Sequence, residues 1–326
     1  MNRLFLPVIA FLLSPIFHLG MTVKAEEPKS SLKVLFIGNS YTGRHNLSQV
    51  VKSMAESGTP RVNLEVTTVI YGGRTLADHW RLGTQNIVKL HRLTKDEVLT
   101  SIQSLEAAVE KNAEDNYAKT ALPRQRTLLS ELERSHEPWD VVVLQSYRDD
   151  LEGDDSLYSE YAPKFADLAK EQGARVILYE TTPTTQNAEP LTEKPDPKPI
   201  MDKQLALARL ANRLDVAVAP MSLVALRCQT QRPDLTLRFV NDGHLNQTLA
   251  YLTACSIYAA MFDRNPEGIQ VDSVTDIRYL NDKSKDKDRD GKPITQKFSA
   301  SDRADLQRIA WEGYQEFQAL RQSAGK

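Results

Sequence analysis

Short runs rich in β-branched and aliphatic residues recur at 32–37, 62–70, 141–144, 176–179 and 216–218, and segments of helical spacing at 158–170 and 203–214 lie between the later ones. Parallel strands need a long crossover, usually a helix, so this alternation predicts an α/β protein with a mostly parallel sheet covered on both faces. The first run enters Gly38-Asn39-Ser40, after which Leu47, Val50, Val51 and Met54 fall at helical spacing, so the first unit reads as strand, turn, helix. Between 83 and 136 the pattern changes. Val98, Ile102, Leu105 and Val109 mark one helix and Leu128, Leu129 and Leu132 a second, with no strand between them, which predicts a helical insertion on the core. The segment 248–262 is apolar nearly all round and reads as a buried helix. Leu306, Ile309, Ala310, Tyr314 and Phe317 share one face of a docked amphipathic helix over 302–320. The proline-rich stretch 183–199 reads as a surface loop at the carboxyl end of its strand, where open α/β sheets bind ligands.

Composition excludes several classes of function. Lys and Arg number 41 against 43 Asp and Glu, a formal net charge of -2, without the basic excess that nucleic acid or a polybasic membrane contact requires. Two cysteines, Cys228 and Cys255, exclude a disulfide scaffold and a four-thiolate zinc site. Arg3 precedes an apolar run over 4–19, and Val23-Lys24-Ala25 stands before Glu26-Glu27, the order of a secretory leader cleaved after Ala25. Pro7, Ser14, Pro15 and His18 interrupt that run and leave it short for a membrane anchor. The expected organisation is a signal peptide over 1–25 and a single secreted or periplasmic domain over 26–326. Export permits a disulfide between the two cysteines, and two separately buried thiols are the other reading.

Four short blocks stand at the ends of these elements. Gly38-Asn39-Ser40-Tyr41-Thr42 ends the first strand and presents a serine near the first turn of a helix, where backbone N–H dipoles assist hydroxyl attack. Gly72-Gly73-Arg74-Thr75 follows the second strand, and its glycines let backbone N–H groups approach a ligand. Gln145 follows Val141-Val142-Val143-Leu144, and Asn241-Asp242-Gly243-His244-Leu245 brings a carboxylate and a histidine together before the buried helix. A serine, a base with an acid beside it and two oxyanion donors are the parts needed for acyl transfer.

In order and placement these blocks resemble the SGNH hydrolase superfamily, the GDSL-like esterases, and within it an exported branch opening with Gly-Asn-Ser; the resemblance spans 32 to about 262. It implies a three-layer α/β/α sandwich with a five-stranded parallel sheet, similar to flavodoxin. It also implies a nucleophile at Ser40, a catalytic base at His244, and an oxyanion hole from the Ser40 and Gly73 N–H groups. The family's third-block asparagine is replaced by Gln145, which would be the further oxyanion donor. Its acid usually stands three residues before the histidine; here Asn241 holds that place and Asp242 lies two before. The expected activity is hydrolysis of acyl, and in particular acetyl, esters on carbohydrate, with no cofactor, Asp242 as orienter, and Asn39, Tyr41 and Arg74 as substrate-binding candidates. The alternative is a non-catalytic glycan-binding or structural member of the same fold, prompted by Asn39, Gln145 and the shortened Asp-to-His step. His45, His79 and Trp80 lie near the first two blocks and are further pocket candidates.

Asp286, Asp288 and Asp290 with Gly291 have the spacing of a calcium loop inside a charged stretch over 281–298. The twelfth position is Lys297 instead of a bidentate glutamate, and Lys287 and Arg289 are interleaved, so a solvated charged loop is the favoured reading.

Overall fold

The computed structural model describes residues 29–147, 156–182 and 185–324; the leader 1–25 and Pro183 lie outside them. Five strands, β1 (Ser31–Gly38), β2 (Asn63–Ile70), β3 (Val141–Gln145), β4 (Arg175–Tyr179) and β5 (Ala217–Ala219), form one sheet in the order β2-β1-β3-β4-β5. Every pairing in it is parallel. This is the flavodoxin-like order, in which the crossovers from β1 and into β3 leave on opposite faces and open a crevice at the carboxyl ends of those two strands.

The helices in chain order are α1 (Ser40–Gly43), α2 (Leu47–Ser57), α3 (Leu76–Arg81), α4 (Thr84–Val88), α5 (Lys95–Lys111), α6 (Asn116–Glu131), α7 (Leu157–Lys170), α8 (Lys198–Leu214), α9 (Met221–Gln231), α10 (Gln247–Phe262) and α11 (Ala300–Ala324). Side chains alternate across a strand, so each central strand feeds two cores. Val34, Phe36, Val141, Val143, Ile177 and Tyr179 pack toward α2, α9, α10 and α11. Leu35, Ile37, Val142, Leu144, Val176 and Leu178 pack toward α3 to α8. The result is the α/β/α sandwich that the resemblance implies. Burial on both faces explains why these strands read as continuous apolar runs instead of alternating ones.

The all-round apolar α10 is buried along almost its whole length between the sheet and a second helical layer that includes α11 and α2. Among the described residues no helix is long and apolar enough to cross a membrane. Helix α8 begins earlier than the proline-rich stretch suggests, because Pro199 occupies its first turn, where a missing N–H breaks no helical hydrogen bond. A short antiparallel hairpin, β6 (Ser273–Thr275) with β7 (Thr295–Lys297), brackets the charged stretch. Cys228 in α9 and Cys255 in α10 are separate buried thiols. Burial pushes the Cys228 thiol up to about 12 and raises that of Cys255 as well.

Candidate active site

At the carboxyl end of β1, Asn39 caps α1: its side-chain oxygen accepts the Tyr41 N–H at 3.0 Å. Ser40 is the first residue of that helix, a position whose N–H has no intrahelical partner. The Asn39 amide nitrogen donates to the carbonyls of Arg74 (3.2 Å) and Ser146 (3.1 Å), so one side chain staples the first block to the second and third. Gly72 and Gly73 form the middle of a turn closed by the Arg74 N–H on the Tyr71 carbonyl, and Gly73 has φ +65°, which the third residue of a type II turn requires.

The hairpin-like loop that carries the last block is closed by an antiparallel bridge between Arg238 and Leu245. It lays His244 beside Ser40, with Nε2 2.8 Å from Ser40 Oγ, while His244 Nδ1 makes a short hydrogen bond to Asp242 Oδ1. Burial raises the Asp242 carboxyl, but hydrogen bonds from His244 and Arg44 outweigh it and hold the group well below the usual carboxylate range. An ionised carboxylate only accepts, so the imidazole donates from Nδ1 and leaves its Nε2 lone pair for the Ser40 hydroxyl proton. Ser40, Asp242 and His244 therefore form a contiguous relay despite the two-residue spacing of the acid.

That relay continues inward. Arg44 Nη1 donates to Asp242 Oδ2 at 2.7 Å, and the same guanidinium grips Asp276 with Nε and Nη2, both at 2.7 Å. The Arg44 and Asp276 side chains are essentially inaccessible to solvent. His45, next in sequence, has left-handed φ 61°, and its ring Nε2 lies 2.9 Å from the Leu245 carbonyl, tying the first block to the loop that carries His244. No motif announced this support, because Asp276 lies 232 residues beyond Arg44 in an unremarkable stretch.

Two of the three aspartates with calcium-loop spacing are committed to hydrogen bonds beside this loop. Asp290 accepts the N–H groups of Val240 and Asn241, each at 2.9 Å, and Asp288 accepts from the N–H groups of Asp290 and Lys292 and from Gln247. Among the described residues no group of three or more His, Cys, Asp or Glu is placed to hold a metal.

A cleft of about 430 Å³ contains Ser40, Asp242 and His244 and is walled by Asn39, Tyr41, Gly73, Tyr117, Tyr147 and Arg278. A larger cavity of about 740 Å³ lies against Val240 and Asn241 on the same loop but includes none of the three. Two expectations differ from what is found. Gln145 does not face the cleft: it is fully buried, its Oε1 accepts from the Asn39 N–H (2.8 Å) and the Thr42 hydroxyl (2.9 Å), and its amide nitrogen donates to Ser146. A backbone N–H can only donate, which fixes the oxygen end toward it, so Gln145 shapes the turn beneath Ser40 and does not supply an oxyanion donor. Arg74 does not line the cleft either; its guanidinium stacks 4.4 Å over the Tyr117 ring. His79 lies fully buried behind the first block, with ring nitrogens 3.0 Å from the Gly38 carbonyl and the Thr84 hydroxyl, and Trp80 packs on Phe165.

No protein-family model matches the sequence, and no curated protein matches it. Among solved structures the chain is similar to a DUF4886 family protein from Bacteroides uniformis, with TM-score 0.47 and 15% identity over 86% of this chain and 94% of that one. It is similar also to a "putative SGNH hydrolase" from Slackia heliotrinireducens, with TM-score 0.41 and 18% identity over 71% of this chain and 99% of that one. A third is a gut microbial diltiazem-metabolizing enzyme, with TM-score 0.35 and 12% identity over 73% of this chain and 48% of that one.

Proposed function

We propose that the protein is a serine esterase that hydrolyses acyl esters, acting outside the cytoplasm on short acyl groups, acetyl in particular, carried by carbohydrate. The observation that carries this reading is the 2.8 Å approach of Ser40 Oγ to His244 Nε2, with His244 backed by an ionised Asp242. Ser40 Oγ attacks the ester carbonyl carbon while its proton passes to His244 Nε2, and the resulting imidazolium is stabilised by Asp242. The tetrahedral oxyanion is received by the N–H groups of Ser40 and Gly73. Collapse expels the alcohol, which takes the proton from His244. Water then attacks the acyl-enzyme with His244 as base, releasing the acid and restoring Ser40.

On this reading Ser40→Ala and His244→Ala each lower kcat on a short acyl ester by roughly 10³-fold or more, and the double variant costs little beyond either, because the two act as one unit. Turnover of p-nitrophenyl acetate that survives Ser40→Ala would overturn the mechanism. Failure of an organophosphonate to label Ser40 in the unmodified protein, together with absence of turnover, would favour a binding module of the same fold.

A further inference from the structure

We propose that this cleft selects ring-bearing esters that carry an anionic substituent, with Arg278 as the residue that receives it; the inference rests on the esterase reading of the same cleft. Arg278 lines the cleft and is exposed, and among the described residues its guanidinium has no hydrogen-bond or ion-pair partner. The two carboxylates of the relay and its support already have cations. Asp242 is held by Arg44 at 2.7 Å with Arg289 3.7 Å away, and Asp276 is gripped by two nitrogens of Arg44. Both carboxylates are thus taken up by other arginines, and Arg278 brings its positive charge to the cleft without an ion pair, in a chain whose formal net charge is -2.

Arg278 is also placed, not loose. Its N–H donates to Asp276 Oδ1 at 3.1 Å, the carboxylate that clamps Arg44, so one buried group fixes both the relay and the Cα of the cleft cation. A guanidinium matches carboxylate, sulfate and phosphate oxygens in a bidentate manner. Of the three tyrosines that line the cleft, Tyr41 is buried, while Tyr117 and Tyr147 are more exposed and offer rings against which a sugar or aryl ring can lie. The site therefore offers a nucleophile, aromatic walls and one uncompensated cation, which suits an acylated ring bearing an acid group.

The probes are 4-acetoxybenzoate and its uncharged methyl ester, compared in the unmodified protein and in Arg278→Gln, so that intrinsic differences in leaving group cancel. The expected result is that the ratio of kcat/KM for the anionic over the neutral ester falls about tenfold in Arg278→Gln, mainly through KM, and that 0.5 M NaCl narrows the difference. An unaltered ratio would overturn the proposal while leaving the esterase reading intact. If neither ester is turned over, the esterase reading fails, and calorimetry of the two probes with Ser40→Ala still decides the inference. Tighter binding of 4-acetoxybenzoate that is lost in Ser40→Ala/Arg278→Gln supports an anion site, and equal binding of both probes overturns it.

Discussion

A carboxylate that orients a histidine is useful only if it is itself held, and here that task falls to a buried arginine. Arg44 lies between Asp242 and Asp276, and the desolvation of its guanidinium is offset by hydrogen bonds to both carboxylates, which leave its pKa raised. Breaking a buried pair by removing one partner costs about 3–5 kcal/mol, because the remaining charge is stranded. Arg44→Met is therefore expected to lower the unfolding free energy by an amount on that order and kcat by roughly 10-fold to 100-fold. Loss of the cation also removes a positive charge that opposes protonation of the Asp242–His244 pair, so activity should fall away on the acid side at a higher pH than in the unmodified protein. A pH–rate profile of the variant, with stability measured in parallel, separates this positioning role from a purely structural one. The meeting of Ser40, Asp242 and His244 was legible in the sequence because each sits in a short block at the end of an element. Arg44 with Asp276 was not, since the pair is joined only in three dimensions. The direction of the Gln145 amide was not either, since residue type does not tell which end of the side chain meets a donor.

Elements carry the same lesson about proximity that sequence hides. The aspartate-rich stretch has the spacing of a cation loop, yet Asp290 spends both oxygens on the N–H groups of Val240 and Asn241, directly before Asp242. Asp290→Ala should loosen this loop and lower kcat about 10-fold while moving the melting temperature little, and millimolar calcium should change neither property in the unmodified protein. Calorimetric detection of a micromolar calcium site would show that the loop has a second arrangement. Helix α11 offers a packing test, because a Cβ at Gly313 would stand 2.6 Å from Val224 Cγ2 and 3.2 Å from Val224 Cα in α9. Alanine gains about 1 kcal/mol in helix propensity over glycine, whereas overpacking costs about 1–3 kcal/mol, so Gly313→Ala should be neutral to destabilising in urea unfolding, against its propensity. Helix α11 was readable from its apolar face and α10 from its uniform apolarity. Helix α9 was not, because its apolar residues scatter around the helix, and β6 and β7 are three-residue strands too short to show a period.

At the scale of the whole molecule, the alternation of strands and helices was legible because parallel strands must be buried on both faces, and that burial also sets the response of the fold to acid. Two histidines, His45 and His79, sit in the protein interior, and desolvation lowers each to about 4. His79 satisfies its neutral form: a carbonyl can only accept, so Nε2–H donates to Gly38 and Nδ1 meets the Thr84 hydroxyl. Protonated His45 would face Asp276, whose Oδ1 is 3.9 Å from its Nδ1, but burial outweighs that attraction. In the unfolded chain both side chains bind a proton near pH 6.5, and in the folded protein only near about 4. Between these values the unfolded state holds more protons, so stability is complete above about pH 6.5 and declines as the pH is lowered toward 4. The loss is on the order of 3 kcal/mol per histidine at the bottom of that window. Asp242 and Asp276 are shifted the other way, below the usual range, so their contributions persist through it and are lost only at lower pH. Urea unfolding at pH 7.5, 5.5 and 4.5 should show a progressive fall in midpoint, and His79→Gln, which keeps a donor for the Gly38 carbonyl, should remove about half of it. A midpoint that stays level from pH 7.5 to 4.5 would mean that both imidazoles gain a proton in the folded state as easily as in the unfolded chain.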